Sequence, residues 1–169
     1  MIDPIQELLA VESIRKLKAR YLNACDLKES GTLLDCFIEG AVEISYGHVG
    51  EFDSREAFVE LFVLAAGHKH ILDMHQGGNA EITVLSHDFA KARWNFDYRN
   101  INTHDESITM ASGIYDDEYR CIDGCWKISK TKVNYGTALH FSYQGAEVSS
   151  VFAGRSVSGI VHYGDRRGR

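Results

Sequence analysis

The sequence predicts an α+β fold in which a cone-shaped, curved antiparallel sheet wraps around a long N-terminal helix. Three observations predict it. Apolar residues recur at steps of three and four in the N-terminal part; from Ala80 onward the apolar period is two; and the helices all precede the strands, an order that favours α+β over an alternating α/β chain. A concave sheet closed on one long helix leaves a pocket at its open end.

Within residues 5–25, Ile5, Leu8, Leu9, Ile14, Leu17, Tyr21 and Cys25 line one helical face, with Tyr21 on its buried side. Gly31 and Thr32 open a shorter helix with Leu33, Leu34 and Phe37 apolar, Gly40 stops it, and Asp26 falls in the junction between the two. Residues 42–46 read as a strand, followed by a turn at Gly47 and Gly50. Asp53 with Glu56 three residues later resembles a capping box, and Phe58, Leu61, Phe62 and Ala65 give the next helix its apolar face before Gly67. Residues 80–85 form a strand, and Ser86, His87 and Asp88 a turn. Ala90, Ala92, Trp94, Phe96 and Tyr98 then alternate with polar residues along a second strand. A third strand covers 109–121, and Asp123-Gly124 turns it into a fourth, 126–135.

A chain of 169 residues can bury one sizeable core, so one domain over 1–141 is expected, with 142–169 as a C-terminal extension. That Gly- and Ser-rich tail is a pocket-closing or oligomer-contact segment, or simply frayed chain. Lys and Arg number 18 against 24 Asp and Glu, and the net charge of -6 repels nucleic-acid phosphates and anionic lipid surfaces. Neither a spanning segment nor a signal peptide is read, which predicts a cytoplasmic protein. Cys25, Cys36, Cys121 and Cys125 form no C-x-x-C pair and read as free thiols, the last two flanking a turn.

Of eight histidines, His68 and His70 follow a helix stop and read as loop residues. His75 precedes the Gly77-Gly78 pair, read as a turn feeding the sheet, where its ring could enter the cone or serve as a structural hydrogen-bonding group. No carboxylate pair or cysteine completes a metal-ligand pattern around these histidines. Asp26 ends an apolar stripe. It either satisfies backbone donors at the helix junction or orients an imidazole, fixing its tautomer and stabilising the imidazolium. Tyr21 and Tyr46 are phenols able to donate to a ligand oxygen, or core residues with satisfied hydroxyls.

Residues 14–26, containing Tyr21 and Asp26 five apart, resemble the first helix of the SnoaL-like superfamily. Met74-His75-Gln76-Gly77-Gly78-Asn79-Ala80-Glu81-Ile82 resembles the segment that carries its catalytic histidine. Ser112 to Tyr115, Tyr119, Ile122-Asp123-Gly124 and Trp126-Lys127-Ile128 resemble its closing hairpin. The resemblance spans residues 5–141 and is strongest to the branch with bile-acid 7α-dehydratase, γ-hexachlorocyclohexane dehydrochlorinase and scytalone dehydratase. It implies the cystatin-like α+β barrel shared with nuclear transport factors, no organic cofactor or metal, and a homo-oligomer, a trimer before a dimer. It also implies His75 as base, Asp26 as its orienting carboxylate, and Tyr21 and Tyr46 as phenols. Where the bile-acid enzyme has a further carboxylate, this chain has Tyr98, with Asp97 on the opposite face. Tyr98, Trp94 and Phe96 are then the expected substrate contacts. The implied activity is a lyase acting by β-elimination on an apolar, steroid-like or aromatic hydroxy-ketone. Isomerase or cyclase activity with the same base, and ligand binding without catalysis, are the alternatives, and Asp97 and His104 are the reserve bases.

Overall fold

The computed structural model describes residues 2–144. Helix α1, Pro4–Leu27, begins where the proline ring sets the first helical φ and its missing N–H costs nothing. It ends at Lys28, whose left-handed φ of 60° lets its N–H reach the Cys25 carbonyl. The buried face is Ala10, Ile14, Leu17, Lys18, Tyr21, Leu22, Ala24 and Cys25, and Asp26 belongs to the last turn rather than to a junction. Ile5, Leu8 and Leu9, expected inside, are exposed: the buried face of the helix begins only at Ala10.

A short helix α2, Ser30–Asp35, leads through a bridge between Phe37 and Ile128 to β1, Glu43–Ser45, and β2, Glu51–Phe52. Helix α3, Arg55–Ala66, is capped by Ser54, whose Oγ accepts from Ala57 N–H at 3.1 Å. The cap therefore sits one residue beyond the expected Asp53, and Ser54 bonds the N3 donor as an N-cap should. Phe58 and Val59 are its buried residues, while Ala65 faces solvent.

The meander is β3, Ile71–Ser86; β4, Phe89–Asn102; β5, Ser107–Ile122; and β6, Cys125–Ser142. With β1 and β2 they form one curved, unclosed sheet of order β2-β1-β6-β5-β4-β3. The α+β class is as expected. One pairing differs: β1 runs parallel to β6, with Ile44 opposite Thr131. The chain leaves α2 alongside β6, exchanging backbone bonds between Cys36, Ile38 and Ile128, and it continues in that direction.

β3 begins nine residues before the expected Ala80. Gly77 and Gly78 are strand residues, not a turn, opposite Phe96 and Asn95. The irregularity comes just after them. Asn79 adopts a left-handed φ of 47° and the register skips from Gly78 to Glu81. One extra residue inverts the two-residue alternation. His75 opposite Tyr98 and Ile82 opposite Ala92 consequently face the same concave side despite their odd and even numbers.

Helix α1 fills the concavity against β3 and β6. Its first turns lie by the 86–89 and 122–125 hairpins, across a groove that Gln6 and Leu9 line from the helix and Val84, Cys121 and Trp126 from the sheet. Its last turns reach the opposite end, beside His75. The core joins Ile14, Leu17, Tyr21, Leu33, Phe37, Ile44, Phe58, Trp94, Phe96, Tyr115, Tyr119 and Val133. Gly77 and Gly113 flank Phe96 across the sheet. A Cβ at Gly77 would come within 2.8 Å of Leu22, and one at Gly113 within 2.2 Å of the Asn134 carbonyl and 2.9 Å of the Phe96 ring. No helix among the described residues is long and apolar enough to cross a membrane. Residues 145–169, the greater part of the C-terminal extension, lie outside the described residues.

Candidate active site

His75 and Asp26 come from elements 49 residues apart. The last turn of α1 lays Asp26 along β3, where its two carboxylate oxygens accept the His75 backbone N–H at 3.1 Å each. The His75 ring completes the contact, with Nδ1 2.7 Å from Asp26 Oδ1. An ionised carboxylate can only accept, so this bond places the proton on Nδ1 and leaves the lone pair on Nε2. Both side chains are mostly buried, His75 at 17% and Asp26 at 21% exposure, which strengthens the pairing while leaving the ring reachable.

The Tyr98 ring packs against His75, centroids 4.6 Å apart. Its hydroxyl donates to Asp73 Oδ1 at 2.7 Å; Asn100 Nδ2 donates to the same oxygen at 2.7 Å, and Lys28 Nζ is paired with Oδ2. Burial opposes the charge on Asp73, but the bonds from Lys28, Asn100 and Tyr98 outweigh it and hold the carboxyl below its usual range. Burial and the Asp73 charge push the Tyr98 phenol upward, so it stays protonated. Asp97 lies on the outer, exposed face.

In the core between helix and sheet, the hydroxyls of Tyr21, from α1, and Tyr46, which follows β1, are hydrogen-bonded to each other. Burial raises both phenols well above their ordinary value. Tyr115 is hydrogen-bonded to Tyr46 as well, and three neutral phenols that spend two protons between them retain one donor whichever way the shared bonds run. Phe58 and Tyr115 pack on Tyr46, at 5.3 and 6.3 Å between centroids. Phe96 lies 4.9 Å from Tyr115 and 5.8 Å from Tyr135. Trp94 spends its single donor on Tyr119 Oη at 3.0 Å, which leaves that indole no hydrogen bond for a ligand.

Beneath the tyrosines lies a second polar group. Lys18 and Asp117, 1% and 0% exposed, form an ion pair at 2.8 Å. Tyr119 and Thr131 donate to Asp117 at 2.7 Å each, and Lys18 Nζ stands 3.5 Å from the Tyr115 ring centre. His68 and His70, expected in a loop, are stacked on each other at 5.2 Å, and His104 packs on His70 at 5.4 Å.

Thus the structure joins His75 to Asp26 and Tyr98, and Tyr21 to Tyr46. Sequence reasoning missed Asp73, Lys28 and Asn100. Period two counted back from His75 puts Asp73 on the same strand face, a signal that was available.

The SnoaL-like domain model matches residues 6–132. Among solved structures, hexachlorocyclohexane dehydrochlorinase LinA-type3 from Novosphingobium barchaimii is 18% identical, with a TM-score of 0.76 over 89% of this chain and 100% of that one. A protein provisionally assigned as a scytalone dehydratase, from Novosphingobium aromaticivorans, is 20% identical, with a TM-score of 0.72 over 90% of this chain and 95% of that one. A cystatin-like protein of unknown function from Nostoc punctiforme is 19% identical, with a TM-score of 0.61 over 75% of this chain and 91% of that one. At such identities the structural likeness establishes the fold, and the domain match over most of the length establishes the family: the chain belongs to the SnoaL-like domain family.

Proposed function

We propose that the chain is a cofactor-free lyase that performs β-elimination on a polycyclic, steroid-like or aromatic hydroxy-ketone. The observation that carries this reading is the His75–Asp26 bond, which fixes a tautomer with a basic Nε2 beside an aromatic wall. Nε2 takes a proton from the carbon next to the substrate carbonyl, and Asp26 stabilises the imidazolium. The donor left over in the Tyr21, Tyr46 and Tyr115 cluster stabilises the enolate oxygen. The enolate then expels the group on the β-carbon, and the imidazolium returns its proton to a departing hydroxide. Phe96 and Tyr98 offer apolar faces to the ring system. Two proteins of the same fold bear names that denote loss of water or of hydrogen chloride, both eliminations of this kind.

The chain assembles as a homo-oligomer, a trimer in this reading. One end of the convex face carries paired charges, Lys91–Glu118, Arg93–Asp116 and Lys130–Glu43. The other carries Met74, Met110, Leu139 and Phe141, 41–56% exposed, which a second copy would cover.

The test uses His75→Gln, Asp26→Asn and the double variant, assayed on the elimination substrate that a hydroxy-ketone screen identifies. His75→Gln loses on the order of 10²- to 10⁴-fold in kcat, and the double variant little more than the worse single one, since the two act as a unit. Parent-level turnover by a folded His75→Gln overturns the proposal. A product that keeps its oxygen while a double bond moves reassigns the same base to an isomerase.

A further inference from the structure

Strand β6 runs well past its pairing with β1. The parallel ladder covers only Lys130, Thr131 and Lys132, and the turn at 47–49 then packs on Tyr135, with the His48 ring 5.0 Å away. Beyond the bulge at Gly136, six residues, 137–142, have β5 on one side and no strand on the other among the described residues. The burial pattern agrees with a missing neighbour. Residues 137–142 are exposed on both faces, whereas Ser107 and Ala111, opposite Ser142 and Ala138 on β5, are 6% and 7% exposed.

Unpaired backbone at a sheet edge is a template for another strand, and exposed edges are usually blunted by Lys, by Pro or by shortness. The other open edges of this sheet are protected. β2 has two residues, and β3 is packed against α1, with Asp26 accepting the His75 N–H. From Val133 to Tyr143 the chain has no Lys, Arg, Asp, Glu or Pro. The free stretch also has the ordinary length of a strand, about five to six residues.

We infer that the free edge of β6 is occupied by the chain's own continuation, residues 147–153, as a further antiparallel strand. The chain leaves β6 at Tyr143, whose N–H still reaches the Glu106 carbonyl at 2.8 Å, so Gln144-Gly145-Ala146 has only to reverse direction to bring Glu147 beside Ser142. A short loop with glycine is a common hairpin connection, and closing it costs less than recruiting a second molecule, which loses translational and rotational freedom. Glu147-Val148-Ser149-Ser150-Val151-Phe152-Ala153 holds two Val and a Phe without Gly or Pro, a strand composition, and Gly154 follows as a stop. The pairing extends the sheet sideways and leaves the apolar convex face around Met74 and Met110 to a second copy. It does not depend on the lyase reading.

The test is amide hydrogen exchange with cross-strand amide NOEs, by NMR on the full chain and on its Ser150→Pro/Val151→Pro double variant. Successive residues of a strand point their N–H groups to opposite sides, so one of the two prolines removes a donor facing β6 in either register. In the parent, the 137–142 amides that point away from β5 should exchange at least roughly 10-fold more slowly than in unstructured chain. They should also show NOEs to residues 147–153. The double variant should lose both signals while the β4 amides keep their protection. The inference is overturned if those amides exchange freely in the parent, if their protection survives the prolines, or if it vanishes on dilution, which assigns the edge to a second copy. Should the double variant not fold, the parental NOEs decide alone.

Discussion

Replacing Lys18 by Met puts the buried ion pair to a quantitative test. Lys18 and Asp117 are essentially inaccessible, and Asp117 also accepts from Tyr119 and Thr131. Burial pulls the Lys18 ammonium below the usual lysine range, with Asp117 opposing that shift. Lys18→Met leaves a carboxylate buried with two hydroxyl donors and no cation. Breaking one side of such a pair costs about 3–5 kcal/mol. At about 2–4 °C per kcal/mol for a chain of this size, Tm falls by roughly 6–20 °C. Asp117→Asn strands the ammonium instead and should cost a similar amount. The double variant removes both charges, and its amide still serves Tyr119 and Thr131, so it should lose only about 1–2 kcal/mol, far less than the sum of the singles. Urea unfolding of the four proteins gives the cycle. Additive costs, or a Lys18→Met loss below about 1 kcal/mol, would refute the argument that the two charges are held as a pair.

Gly113→Ala forces a Cβ to within 2.2 Å of the Asn134 carbonyl and 2.9 Å of Phe96; overpacking of this kind costs about 1–3 kcal/mol, read as a lower urea midpoint. The Asp73 carboxyl titrates below its unfolded value near 3.8, so its contribution to stability is complete above that pH and is lost as pH falls through the lower folded value. Asp73→Asn should therefore be less stable at neutral pH yet show a shallower loss below about pH 4; parallel acid curves for the two proteins would remove Asp73 from the account. Light scattering at micromolar concentration should return three times the chain mass, and a clean monomer would contradict the proposed assembly.

The fold was legible where the pattern was local. The apolar stripe of α1 and the alternation from Ala90 to Tyr98 gave helix and strand directly, and both lie where expected. The paired glycines misled. Gly77-Gly78 read as a turn, but both are strand residues, Gly77 makes room for Leu22 against the strand, and the break falls on Asn79. The parallel β1–β6 pairing joins residues about 87 apart, as in Ile44 with Thr131, and no local signal encodes it. His75 and Asp26 stood out through family resemblance, because spacing alone cannot show that a strand residue and a helix end meet. The two polar groups around them left a weaker trace. Lys18 sits four residues after Ile14 and three before Tyr21, inside the apolar stripe, and Asp117 falls between Tyr115 and Tyr119 on the inward alternation. A charge at an apolar position implies a buried partner, though not which one.

In the proposed reaction His75 Nε2 removes a proton from the carbon next to a ketone. Solvent exchange tests it most directly, because it requires no leaving group. A polycyclic ketone is incubated with the protein in D₂O, and deuterium incorporation at the α-carbon is followed by NMR. The parent should catalyse exchange, and folded His75→Gln should lose on the order of 10²- to 10⁴-fold of that rate. Exchange at the parental rate in His75→Gln would contradict it.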